Sequence, residues 1–73
     1  MISATTAKGT KVWVSLCDDI GENRGGYYCE VYLDGMEDFD PIDNFVIHAD
    51  DLVYYYCRVE EAVYEYINGV NEY

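Results

Sequence analysis

Positive charge is scarce in this chain. Lys8, Lys11, Arg24 and Arg58 face fifteen Asp and Glu across 73 residues, with one histidine, which leaves a formal net charge of −11 and a pI near 4.1. Recognition of phosphate depends on Lys and Arg neutralising the backbone, so direct binding to DNA, RNA or an anionic lipid surface is disfavoured and a basic partner is favoured. The excess also goes beyond solubility, which asks for a net charge of roughly 2–8 in a small domain. Such self-repulsion costs stability.

Long apolar runs are missing too. No segment approaches the ~18 apolar residues of a membrane span, and Met1 to Lys8 lacks the charged start and apolar stretch of a secretory signal. The sequence therefore predicts a cytoplasmic protein with no membrane partner. Cys17, Cys29 and Cys57 are odd in number and stand 12 and 28 positions apart. That fits neither a paired disulfide framework nor the C-x-x-C spacing of zinc and redox sites. Reduced, mostly buried thiols are expected.

Catalytic and cofactor signatures are also lacking. Gly21, Gly25 and Gly26 form neither G-x-x-x-x-G-K nor G-x-G-x-x-G, which leaves nucleotide binding without support. The sole histidine, His48, has no serine or cysteine close enough in sequence to suggest a nucleophile pair. In the acidic run Asp34, Glu37, Asp38, Asp40 and Asp43, a glycine follows the first aspartate at once, so the calcium-loop pattern fails. Neither metal nor cofactor is expected. Paired carboxylates could act as acid and base only if one were desolvated in a cleft, for which so small a domain has little room. The chain reads as a non-enzyme.

Half of the residues, 51%, are hydrophobic, and nine are tyrosines. A domain of this size buries only about 60% of its unfolded surface and supports one core. Residues 1–9 are small and polar and read as a flexible N-terminal arm, leaving residues 10–73 as a single domain. Lys11 to Cys17 alternates with period two, setting Val12, Val14 and Leu16 against Lys11, Trp13 and Ser15. Asp18 to Gly26 concentrates turn formers. Tyr27 to Asp34 resumes the alternation, with Tyr27, Cys29, Val31 and Leu33 inward and Tyr28, Glu30, Tyr32 and Asp34 outward. Pro41 closes an acidic turn and marks the entrance to a third strand, Ile42 to His48, with Phe45 and Ile47 inward.

Ala49-Asp50-Asp51-Leu52 has the form of a helix start capped by aspartate. Leu52, Tyr56, Val59, Val63 and Ile67 then recur at helical spacing, and Gly69 is placed to end the helix. The expected fold is α+β, a three-stranded antiparallel sheet with one C-terminal helix packed on one face, in the order β-β-β-α.

Two surfaces remain for binding. On the sheet face away from the helix, Trp13, Tyr28, Tyr32 and Val46 should neighbour Glu30, Asp34 and His48, and aromatics of this kind anchor interfaces. The turn acids Glu37, Asp38 and Asp40 and the helix acids Glu60, Glu61 and Glu65 supply a charge density that can stand in for phosphates before a Lys- and Arg-lined groove. The expected contacts are therefore Tyr28, Glu30, Tyr32, Asp34, Glu37, Asp38, Asp40, Glu60, Glu61 and Glu65. A very acidic, tyrosine-rich single domain without catalytic residues resembles the small phage-encoded inhibitors of host defence, the DNA-mimic antirestriction and anti-CRISPR proteins. The likeness is one of size and composition, and it transfers no family site. It implies a nucleic-acid-binding subunit of a defence complex as partner, met in the host cytoplasm. The alternative is a small interaction module or homodimer that uses the aromatic sheet face.

Overall fold

The computed structural model describes residues 1–71, so the last two residues of the domain expected over 10–73 lie outside the described part. Four strands, β1 (Ile2–Thr5), β2 (Lys11–Asp18), β3 (Tyr27–Leu33) and β4 (Asp43–Ile47), form one antiparallel sheet in the order β1-β2-β3-β4. Two helices, α1 (Ala49–Tyr54) and α2 (Val59–Gly69), follow. The α+β class, the antiparallel pairing and the facing of the three expected strands all hold. The sheet has one strand more than expected, and the helical region is split.

The extra strand comes from the segment read as an arm. Ile2 pairs with Val14 and Ala4 with Val12, which turns both short apolar side chains to the helix side, where Ala4 is buried. The connection closes through Thr6: its amide donates to the Thr10 carbonyl at 2.9 Å, and its hydroxyl accepts the Thr10 N–H at 3.1 Å. Thr6 is thereby buried with its polar group satisfied. Four residues, of which Ile2 is the one large hydrophobe, suffice here because β2 supplies the ladder.

The core forms where strand and helix periodicities meet. Val12, Val14, Cys29 and Val31 from the sheet and Val63 and Ile67 from α2 are fully enclosed, with Ala4, Phe45, Ile47 and Leu52 around them. Burying such a side chain contributes roughly 1.5–3 kcal/mol. Helix α2 contacts both β1 and β4, so it lies across the sheet and leaves the other face uncovered.

The single long helix is corrected to two because its stripe breaks at Tyr56. Helix α1 ends in a left-handed turn in which the Tyr56 N–H donates to Val53 O at 3.3 Å and the Cys57 N–H donates to Leu52 O. This is the Schellman pattern, with Tyr56 at φ 55° where glycine is usual and Cys57 at φ 61°. Tyr56 therefore points to solvent, 91% exposed, and does not extend the apolar stripe. Replacing Tyr56 with glycine should raise stability by about 1 kcal/mol, since it relieves a left-handed side chain that packs on nothing. Urea denaturation checks this, and a loss of stability would show that the ring is packed.

Neither Asp50 nor Asp51 caps α1. The N-cap is His48, without a side-chain cap bond, and both aspartates sit in the first turn. There they still favour the positive end of the helix dipole. Asn23, from the loop between β2 and β3, does the capping: its Oδ1 accepts the Ala49 N–H at 2.8 Å and its Nδ2 donates to Ile47 O at 3.1 Å. Gly26 makes room for this clamp, because a Cβ there would strike both the Asn23 amide and the Ile47 carbonyl. Gly69 ends α2, as its place in the sequence suggested.

Candidate functional site

The period-two alternation of β3 brings Tyr28, Glu30 and Tyr32 onto the uncovered face in one column. Across β2, Tyr32 lies opposite Trp13, Glu30 opposite Ser15 and Tyr28 opposite Cys17; across β4, Glu30 lies opposite Asn44 and Tyr28 opposite Val46. Asp34 follows at the end of the strand, where its Oδ1 accepts the indole N–H of Trp13 at 2.7 Å. Lys11 stands over the same indole, 5.0 Å from the ring centroid. Trp13 is thus held between a cation and a carboxylate, while Tyr28 and Val46 are the more open apolar groups of this face.

The acidic turn adjoins this face. Asp38 and Asp40 are exposed, and Glu37 is partly tied down through its Oε1, which accepts the Gly35 N–H at 3.3 Å. The Tyr32 phenol is held above its ordinary pKa, first by desolvation, then by the charge of Glu30 and by smaller contributions that include Asp40. The turn and the column therefore share one field. Of the ten expected contacts, Tyr28, Glu30, Tyr32, Asp34, Glu37, Asp38 and Asp40 lie on or next to this face, whereas Glu60, Glu61 and Glu65 stand on α2, in the other layer. Glu61 is paired with Arg58 at 3.2 Å, both side chains being well exposed, so that pair is worth little. Of the three, Glu65 lines a cleft against β4 that Val46, the neighbour of Tyr28, also lines.

Three features escaped the sequence reading. The first is a cleft of about 390 Å³ between β4 and the two helices, lined by Phe45, Val46 and Ile47, by Asp51 and Tyr55 of the α1 end, and by Ala62, Glu65 and Tyr66 of α2. Tyr66 stacks on Phe45 with centroids 3.9 Å apart and donates its hydroxyl to Asp43 Oδ2 at 2.9 Å. Its pKa is raised by desolvation and then by that carboxylate. Tyr55 is raised above its ordinary value by hydrogen bonding to Glu65, then by the charge of Glu65, by desolvation and by Asp51. No local sequence signal joins β4 to residues some 20 positions later on α2.

The second feature is the corner between the helices, where Val53, Tyr54 and Tyr56 are all more than two-thirds exposed. Three consecutive large residues, Tyr54-Tyr55-Tyr56, cannot all face a core on a 3.6-residue period, and that signal was legible. The third concerns the thiols. Only Cys29 is buried, its pKa raised to about 11 by burial and then by the nearby Cys17, whereas Cys17 and Cys57 are exposed. The expectation of mostly buried cysteines fails because Cys17 lies on the uncovered face and Cys57 in the left-handed turn.

Among the described residues no group of three or more His, Cys, Asp and Glu is arranged to hold a metal ion, and no helix is long and apolar enough to cross a membrane. His48 lines a hollow of about 540 Å³ with Glu22, Asn23, Arg24 and the start of α1. No protein-family model, curated protein or solved structure matches this chain.

Proposed function

We propose that this chain is a non-enzymatic inhibitor that docks its acidic surface on a Lys- and Arg-lined nucleic-acid-binding site of a partner and keeps nucleic acid out. The observation that carries the reading is the state of the carboxylates. No Asp or Glu among the described residues is buried, and outside Asp43 the ion pairing among them consists of Arg58 with Glu61. The charge of −11 is therefore presented to solvent with little internal compensation. A fold that spends stability on such repulsion recovers it on meeting a surface of opposite sign. The likeness to phage-encoded inhibitors of host defence makes a subunit of a defence complex the partner of choice.

Association governed by this charge is fast and salt-sensitive. For a nucleic-acid-binding protein retained on the immobilised chain, affinity should fall roughly a hundredfold between ~50 and ~200 mM salt, as for ligands that make several phosphate-like contacts. An affinity that stays flat over that range would remove the mimicry reading. The exposed pair Tyr28 and Val46 favours a second reading, a docking module that binds through the uncovered sheet face and uses its acids only for solubility.

A further inference from the structure

Strand β4 is an edge of the sheet, and its pairing determines which of its backbone groups are free. Antiparallel ladders turn the N–H and C=O of successive residues alternately toward one neighbour and the other. The Asp34 N–H donates to Lys11 O and the Asp19 N–H donates to Gly26 O, which places the even-numbered residues of β3 in the ladder with β2. The odd-numbered residues of β3 therefore serve β4, as the bond from the Ile42 N–H to Val31 O at 2.8 Å shows. It follows that Asp43, Phe45 and Ile47 bond to β3, while Asn44 and Val46 direct their backbone groups outward. The Asn44 N–H is taken by Asp43 Oδ1 at 2.8 Å. The Asn44 C=O and both groups of Val46 have no hydrogen-bond partner among the described residues. An unpaired edge of this kind is a template for another strand.

The edge lies between an acidic cleft and the uncovered sheet face. On its helix side lies the 390 Å³ cleft with the carboxylates of Asp51 and Glu65 beside the rings of Tyr55 and Tyr66. On its other side Asn44 and Val46 continue the rows of Glu30 and Tyr28. Side chains of an added strand would alternate between these two environments. Of the nearby cations, Lys11 lies over Trp13 on β2, Arg58 is paired with Glu61, and Arg24 lines the hollow on the other side of Asp51 without an ion pair to it among the described residues.

We propose that the β4 edge receives an extended cationic segment of a partner protein by backbone pairing at Val46, with an Arg or Lys side chain seated in the cleft between Asp51 and Glu65. The inference rests on the basic-partner reading and deepens it by naming the mode of docking. A second copy of this chain is a poor occupant, because edge-to-edge pairing would bring together two chains of net charge −11, each with Asp51 and Glu65 beside the edge. A cationic strand gains main-chain hydrogen bonds for affinity and the cleft for specificity. The guanidinium of Arg also suits a site that offers both carboxylates and aromatic faces.

The test uses the full chain, labelled with nitrogen-15, and two blocked pentapeptides, Val-Arg-Thr-Arg-Val and Val-Glu-Thr-Glu-Val. The Arg peptide should bind, shift the amides of residues 44 to 48 together with those of Asp51 and Glu65, and slow hydrogen exchange at the Val46 N–H; the Glu peptide should not. Val46→Pro deletes the outward N–H without touching the ladder to β3, and proline is tolerated on an edge, so it should weaken the Arg peptide at least tenfold. Asp51→Asn with Glu65→Gln leaves the backbone intact, should do the same, and carries the test if the proline variant does not fold. Full affinity in a folded Val46→Pro variant, or shifts centred on Glu60 and Glu61, would overturn the edge proposal while leaving a basic partner in place. Equal binding of both peptides would overturn the basic-partner reading as well.

Discussion

Replacing Ile67 with alanine is expected to destabilise the fold by about 2–5 kcal/mol, the range for truncating a fully buried aliphatic side chain. Ile67 has no solvent exposure and sits in the same cluster as Val63, Val14 and Val31. The cavity left by three lost carbons lies between α2 and the sheet, where neither layer can collapse without moving the other. Natural domains are stable by roughly 0.05–0.15 kcal/mol per residue, so a chain this short and this self-repelling has little margin. The variant should lose half or more of its stability to urea, while Tyr64→Ala, which changes a partly exposed ring on the same helix, should lose far less. A loss below about 1 kcal/mol for Ile67→Ala would mean that α2 is not seated on the sheet as described.

Reversing the charges of the acidic turn should have the largest effect on binding. Glu37→Lys, Asp38→Lys and Asp40→Lys together put three cations where the partner's Lys and Arg are expected. At roughly 1 kcal/mol for each reversed contact, affinity for a basic partner should drop about a hundredfold. Because Asp38 and Asp40 are exposed and Glu37 only partly enclosed, the variant should keep its fold. Trp13→Ala separates the rival reading. If the docking module reading were correct, that change would abolish partner binding while the triple reversal left it intact.

The strands were legible because alternation in Lys11 to Cys17 and Tyr27 to Asp34 is a local property, and a one-residue slip would expose Val12, Val14 and Val31. Leu52, Val63 and Ile67 were legible as a buried helical stripe for the same reason. Tyr56 was not, because its fate depends on a left-handed turn that no glycine announces. Strand β1 was hidden since Ile2 and Ala4 carry too little apolar surface to signal a strand until β2 supplies the pairing. The capping of α1 by Asn23 joins positions 26 residues apart and lies beyond any local pattern. For the candidate site, the column Tyr28, Glu30, Tyr32 and Asp34 followed from strand periodicity. The separation of Glu60, Glu61 and Glu65 from that column followed only from knowing on which face α2 packs.

The central claim is that this chain occupies a surface made for nucleic acid, and displacement tests it most directly. A partner protein is captured from a host-cell lysate on the immobilised chain, purified, bound again, and challenged with duplex DNA at constant ionic strength. Release of the partner in proportion to added DNA, with DNA and the chain never bound to it together, is the predicted result. A ternary complex of partner, chain and DNA would contradict the account.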